Sequence, residues 1–144
     1  MNPSNLKPAF DKKNIALCLT ADQNYLPFAS VTICSIIKNM DIKCNYDIII
    51  FCSGVTDKEK QKVCSLRERK ENISIRFIEM KDFFSKEIQK KIYLSDYFTE
   101  AVYYRLMIPA ILINYEKILY LDCDIVVLKD ISKLFLKNID NYFL

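Results

Sequence analysis

The chain contains no histidine, no tryptophan and a single glycine, Gly54. Without histidine, it cannot build a Ser-His-Asp or Cys-His catalytic site, or a histidine-ligated zinc site, from its own residues. One glycine also excludes a Walker phosphate loop and a G-x-G-x-x-G dinucleotide turn, because both need several glycines for close backbone approach. If this chain binds a nucleotide, a metal ion is the obvious substitute for a glycine-rich phosphate cradle.

Other features are also missing. The six cysteines form no C-x-x-C pair, which argues against a zinc or thioredoxin-type motif. No apolar run reaches the roughly 18 residues of a membrane span, and no secretory signal precedes Asn14. The net charge of +3 is too balanced to indicate nucleic-acid binding, and we expect none. We expect a cytoplasmic protein.

Apolar runs alternate with amphipathic runs along the chain, which is the pattern of an α/β fold with a mainly parallel sheet flanked by helices. We expect residues 1–13, which are polar with two prolines, to form a flexible lead-in to one domain over residues 14–144. The predicted strands cover residues 14–20, 46–52, 73–78 and the run that leads into Asp122, and the predicted helices cover residues 27–40, 56–70, 81–91 and 99–112.

Three details of these helices can be checked. The spacing of Phe28, Val31 and Cys34 predicts that they share the apolar face of the first helix. Thr56, with glutamate three residues later, predicts a capping box at the start of the second. Pro109 should kink or divide the last one, which we expect to begin with a cap at Thr99.

Asp122 and Asp124 lie between two apolar runs. Successive strand side chains point to opposite faces, so the two carboxylates should share one face of a strand. Carboxylates held this close repel unless water or a cation separates them, and Mg²⁺ or Mn²⁺ takes one or two carboxylates and leaves room for phosphate oxygens. The motif therefore predicts a metal-bridged phosphate site. The alternative is a chance pair of turn-forming aspartates.

A second polar cluster, residues 22–25, follows the first predicted strand. In parallel α/β sheets, ligands bind at the carboxyl ends of the strands. If the first and fourth strands are neighbours, this cluster and the Asp122–Asp124 motif face each other across one crevice. The last three residues, 142–144, are apolar and resemble the beginning of another strand, so we expect the chain to be truncated at the C-terminus. The alternative is a tail that packs on the core.

Three motifs carry a resemblance to a known family. They are Leu-Thr-Ala-Asp-Gln-Asn-Tyr at residues 19–25, Tyr-Tyr-Arg-Leu at residues 103–106, and the strand with Asp-Cys-Asp at residues 117–127. In this order and spacing, they make residues 14–144 similar to the N-terminal, nucleotide-binding portion of family 8 glycosyltransferases. These are retaining galactosyl- and glucosyltransferases with the GT-A fold, a Rossmann-like sheet.

The resemblance implies roles for individual residues. Tyr25 would stack on uracil, and Asp122 and Asp124 would bind Mn²⁺ (or Mg²⁺), with Arg105 as the catalytic group at the donor phosphate or sugar. Asp22 would lie at the uracil, Asn24 at the ribose or diphosphate, and the backbone of Cys123 at the ribose. Two alternatives stay open, a Tyr25 that packs into the core and an Arg105 that is merely a surface residue. The implied donor-binding set is Ala21, Asp22, Asn24, Tyr25, Arg105, Asp122, Cys123 and Asp124.

The implied function is transfer of a hexose from UDP-galactose or UDP-glucose to a glycan acceptor such as lipopolysaccharide, with metal-assisted departure of UDP. Related enzymes often use a basic C-terminal segment to reach a membrane, so the resemblance implies association with the inner membrane face only through a segment beyond Leu144. The family's third metal ligand is a downstream histidine, which this chain lacks. We therefore expect the 144-residue chain to be an inactive fragment or nearly so. The alternatives are a nucleotide-binding module without catalysis and another GT-A enzyme with a different donor.

Overall fold

The computed structural model of the chain describes residues 6–81, 83 and 101–139. The described part contains one sheet of four parallel strands in the order β3-β2-β1-β4. This architecture confirms the predicted α/β fold with a mainly parallel sheet. The strands are β1 (Asn14–Asp22), β2 (Asn45–Ser53), β3 (Ile73–Glu79) and β4 (Leu119–Tyr120).

Helices cover both faces of this sheet. α1 and α2 pack on one face through residues such as Ile33 and Val63, and α3 and α4 pack on the other through residues such as Tyr104 and Ile111. A 3-10 turn over Arg105–Met107 joins α3 to α4. The helices are α1 (Leu26–Asn39), α2 (Asp57–Ser65), α3 (Ala101–Tyr104), α4 (Ile108–Ile111) and α5 (Ser132–Phe135).

The core explains why β1 and β2 are apolar throughout. On β1, Leu17 and Leu19 point to the α1 side of the sheet, and Cys18 points to the α3 side. All three are fully buried. Burying a leucine side chain contributes roughly 1.5–3 kcal/mol to the free energy of unfolding, so strands that are covered on both faces stabilise the sheet.

The span of α1 matches the prediction, but its buried face does not. Phe28 and Val31 are 53% and 57% exposed, and Cys34 is also exposed. The prediction that these three form the inward face is wrong, because the inward stripe of α1 includes hydroxyl side chains that bind a neighbouring stretch of backbone. The buried residues of α1 are Leu26, Ala29, Thr32, Ile33, Ser35 and Ile36.

Two other helix predictions are confirmed. Thr56 and Glu59 form the capping box, with the Thr56 amide 2.8 Å from Glu59 Oε2 and the Glu59 amide 3.3 Å from Thr56 Oγ1. Pro109 lies in the first turn of α4, after the 3-10 turn that divides the predicted helix. α2, however, ends at Ser65, and a turn that includes Glu68 at a φ of 52° follows it. The Thr99 cap and, apart from residues 81 and 83, the predicted helix over 81–91 lie outside the described residues.

β4 is shorter than its apolar sequence predicts. Only Leu119 and Tyr120 pair with β1, so Asp122 and Asp124 lie beyond the strand. The run after them, residues 125–128, is not a strand either. The physical reason is that side chains of α1, rather than another strand, bind the backbone carbonyls of residues 123, 125 and 127.

The segment before β1 is described from residue 6. Its backbone contacts the sheet: the Ala9 amide lies 2.9 Å from Asp47 Oδ2, and the Lys7 carbonyl oxygen lies 2.9 Å from Arg76 Nη1. The flexible lead-in over residues 1–13 stays a prediction, but part of it is anchored. In the described ranges, no helix has the length and apolar character needed to cross a bilayer.

Candidate functional site at the carboxyl ends of β1 and β4

β1 and β4 are neighbours in the sheet. Cys18 pairs with Tyr120, and the Leu121 amide donates to the Cys18 carbonyl oxygen at 2.9 Å. After β1 the chain adds β2 and β3 on one side and returns to place β4 on the other. This is a topological switch point, where parallel sheets open a crevice at the carboxyl ends of the strands. The two polar clusters predicted to face each other therefore follow adjacent strands.

The first cluster is a turn organised by Asp22. Its Oδ1 accepts the backbone amides of Asn24 and Tyr25, both at 2.9 Å. An aspartate that binds the amides two and three residues later fixes the turn from β1 into α1. Ala21, just before it, is fully buried, while the side chain of Asn24 is exposed.

Tyr25 lies at the start of α1 and is 46% exposed. The alternative that it packs into the core is wrong, because the next residue, Leu26, takes the buried position. The ring centroids of Tyr25 and Phe28 are 5.7 Å apart, with their planes tilted by 42°. An exposed aromatic pair beside the crevice offers a face on which a planar ring can stack.

The second cluster surrounds Cys123. Asp122 and Asp124 are exposed on either side of its buried thiol. Burial raises the pKa of Cys123 to about 11, and the charges of Asp124, Asp122 and Asp22 act in the same direction. Three carboxylates from two strand ends therefore lie near the Cys123 sulfur.

Arg105 brings positive charge to this edge. Its Nη2 lies 3.3 Å from Asp122 Oδ1, and its guanidinium carbon lies 4.9 Å from the centroid of the Tyr120 ring. The side chains of Arg105 and Asp122 are 39% and 55% exposed. The structure thus brings together two residues that the sequence motifs named separately, and Arg105 is more than an isolated surface residue.

Tyr120 was missed by the sequence analysis. Its hydroxyl lies 2.9 Å from Asp122 Oδ1 and 3.2 Å from Thr20 Oγ1. Burial raises the pKa of Tyr120 to about 12, so the hydroxyl is protonated at neutral pH and donates to the carboxylate. A signal was present, because Tyr120 stands two residues before Asp122, at the spacing of one strand face.

The two exposed carboxylates have the chemistry of a divalent-metal site. Asp122 and Asp124 offer the hard oxygen ligands that Mg²⁺ and Mn²⁺ prefer. Within residues 6–81, 83 and 101–139, no group of three or more histidine, cysteine, aspartate or glutamate side chains is arranged to hold a metal. Two carboxylates fit such an ion when water and ligand phosphates complete its shell.

The sheet order and the crevice at its edge define the class of protein, an α/β protein with a GT-A-like fold. The model of the family described as "Glycosyl transferase family 8" matches residues 14–144. The chain belongs to glycosyl transferase family 8, as the three motifs predicted.

Individual relatives agree with the family. General stress protein A of Bacillus subtilis (strain 168) is 28% identical over 125 residues, which are 85% of this chain and 42% of that protein. Among solved structures, the bifunctional glycosyltransferase WbbM superposes with a TM-score of 0.81 at 29% identity, over 94% of this chain and 23% of WbbM. The galactosyltransferase LgtC, solved with donor and acceptor sugar analogs, has a TM-score of 0.69 at 20% identity, over 87% of this chain and 43% of LgtC. The chain thus spans less than half the length of each.

Proposed function

We propose that this chain forms the donor-binding part of a retaining hexosyltransferase. Its donor would be UDP-galactose or UDP-glucose, and its acceptor a glycan such as lipopolysaccharide. Membership of family 8 and the likeness to WbbM support glycosyl transfer in general. The single observation that carries the donor assignment is that β1 and β4 are adjacent strands. The Asp22 turn, Arg105 and the Asp122–Asp124 motif therefore lie at the same edge of the sheet.

We assign to the residues of that edge the roles that the resemblance to family 8 implies. The Tyr25 ring would stack on the uracil, which is a planar base. Asp22 Oδ1 already accepts two backbone amides, so we assign its Oδ2 to the base. Both choices require only side chains that are at least partly exposed at the crevice.

Charge is the central problem at the diphosphate, because UDP gains negative charge as the sugar leaves. Asp122 and Asp124 would hold Mn²⁺ (or Mg²⁺), which supplies positive charge to both phosphates when bound. Arg105 would donate to the phosphate oxygens on which charge develops, and this stabilises the transition state electrostatically. Its Nη2 lies 3.3 Å from Asp122 Oδ1, so its positive charge stands beside one of the carboxylates that we assign to the cation.

Thermal unfolding with UDP, UDP-glucose and UDP-galactose, each with and without Mn²⁺, tests the proposal. A ligand at about 100 times its Kd stabilises a protein by about 2.7 kcal/mol, so a metal-dependent shift is easily measured. Asp124→Ala should abolish the metal-dependent part, while Asp11→Ala, an exposed acid before β1, should keep it. If UDP with Mn²⁺ leaves the melting temperature unchanged, the donor assignment is wrong.

A nucleotide-binding module without catalysis is the second candidate. Among the described residues, no group of three or more potential ligands is arranged to hold a metal, and the chain spans 42% of general stress protein A. Both candidates predict the UDP shift, so turnover must separate them. Release of UDP from UDP-galactose or UDP-glucose, with glycan acceptors added, would favour the enzyme. Because we expect the 144-residue chain alone to have little or no activity, binding without release favours the module only when the product of the full-length gene is assayed.

A further inference from the structure

Tyr120 links three groups at the candidate site. A carboxylate only accepts hydrogen bonds, so the Tyr120 hydroxyl donates to Asp122 Oδ1, 2.9 Å away. That hydroxyl has one proton, and therefore the contact with Thr20 Oγ1 at 3.2 Å is donated by Thr20. The result is a directed chain from Thr20 on β1 through Tyr120 on β4 to Asp122.

The ring of Tyr120 serves a different partner. The Arg105 guanidinium lies 4.9 Å from its centroid, within the range of a cation–π contact. The same guanidinium reaches Asp122 Oδ1 at 3.3 Å. Oδ1 of Asp122 therefore receives both the phenol and the guanidinium, and Tyr120 touches both members of the Arg105–Asp122 pair.

We propose that Tyr120 is a positioning residue that orients the Asp122 carboxylate for the metal with its hydroxyl and holds Arg105 for the diphosphate with its ring. The inference rests on the proposed function. Among the described residues both donors meet Oδ1, so Oδ2 is the oxygen that we assign to the cation. Groups that orient a metal ligand change metal affinity about 10–100-fold when they are removed.

The two roles can be separated by substitution. Tyr120→Phe keeps the ring under Arg105 and removes only the hydroxyl, whereas Tyr120→Leu removes both. Thr20→Val removes the donor behind the hydroxyl. A matched control is Tyr46→Phe, since Tyr46 also donates to a carboxylate, that of Asp130 at 2.6 Å, but near the amino end of β2.

The experiment titrates Mn²⁺ into the 144-residue chain with saturating UDP and follows free Mn²⁺ by electron paramagnetic resonance. Tyr120→Phe should raise the Kd for Mn²⁺ about tenfold, and Tyr46→Phe should leave it unchanged. Thr20→Val should raise it less, and the double variant Thr20→Val/Tyr120→Phe should be no weaker than Tyr120→Phe alone, because both act through one hydroxyl. Binding of UDP without metal should survive Tyr120→Phe and weaken in Tyr120→Leu.

The outcomes distinguish the two proposals. If the wild-type chain takes up no Mn²⁺ with UDP, the donor assignment fails and the positioning role fails with it. If the wild-type chain binds Mn²⁺ and Tyr120→Phe binds it equally well, the positioning role alone is overturned. An additive loss in the double variant would also overturn it, because the effect would then be general destabilisation rather than one hydrogen-bonded chain.

Discussion

The hydroxyl oxygen of Thr32, in the middle of α1, lies 2.7 Å from the carbonyl oxygen of Cys123. The carbonyl oxygen of Ile125 lies at the same distance, so one buried hydroxyl bridges the backbone on both sides of Asp124. α1 therefore fixes the backbone of the Asp122–Asp124 motif, although more than 80 residues separate the helix from the motif in the sequence.

Replacing Thr32 with valine should loosen this support. The side chains have nearly the same shape, but Thr32→Val removes the single proton that the carbonyls of Cys123 and Ile125 share, at a cost of about 1–3 kcal/mol. Urea unfolding measures the change, and Thr32→Ser, which keeps the hydroxyl, is the matched control. A loss of stability in Thr32→Ser with none in Thr32→Val would mean that the methyl group matters and the hydrogen bonds do not.

Much of the fold was readable from the sequence. β1, β2 and β3 are apolar runs with turn residues at their ends, and each was predicted within about two residues. The capping box at Thr56 was equally local, because its two partners are three residues apart. Features that depend on neighbours along the chain are thus fixed by patterns that the sequence displays.

The failures involve contacts between distant segments. The inward face of α1 was misassigned because Thr32 and Ser35 look polar, yet they bury their hydroxyls against residues 123–127. The same contacts end β4 early, since the backbone that could have extended the sheet is bound by α1 instead. At the site, motifs named Arg105 and Asp122 but could not show that they form a pair. Tyr120 was overlooked because it has no motif of its own.

The corrected orientation of α1 predicts an order of cysteine reactivity. Cys34 is exposed, whereas Cys18 and Cys52 are buried in the sheet, and burial raises the pKa of both, that of Cys52 to about 12. Alkylation proceeds through the thiolate, so Cys34 should react with iodoacetamide at pH 7.5 well before the other two. Peptide mass spectrometry of a time course gives the order, and urea should abolish the difference. Early labelling of Cys18 would contradict the packing of β1.

Asp47 and Arg76 form an ion pair at the other end of the sheet. Asp47 is fully buried, and its carboxylate also lies 2.9 Å from the Ala9 amide and 2.9 Å from the Tyr115 hydroxyl. Asp47→Ala leaves Arg76 without its counter-charge, and breaking a buried pair in this way costs about 3–5 kcal/mol. Urea unfolding should show that loss, and hydrogen exchange should show lost protection of the Ala9 amide.

The control for that prediction is an exposed ion pair. Glu68 and Lys70 lie 3.4 Å apart with side chains that are 75% and 37% exposed, so Glu68→Ala should leave stability unchanged within error. If Asp47→Ala proves equally harmless, the Asp47 cluster does not hold the segment before β1. Protection of Ala9 in the variant would lead to the same conclusion.

The carboxyl group of Asp130 should make the free energy of unfolding depend on pH in the acid range. Burial alone would raise the pKa of its carboxyl, but the hydrogen bonds it accepts from Ser132 and Tyr46 outweigh burial and lower it. A depressed folded-state pKa adds stability that is fully present above the unfolded-state pKa of about 3.9 and is lost as the pH falls through the folded-state pKa.

The difference in unfolding free energy between the wild type and Asp130→Asn should therefore be constant from pH 7 to about 5 and shrink below about pH 4. Urea unfolding across that range measures it, with Tyr46→Phe expected to weaken the same dependence. Two curves that stay parallel down to the acid limit would show that the carboxylate form of Asp130 adds nothing to the folded state.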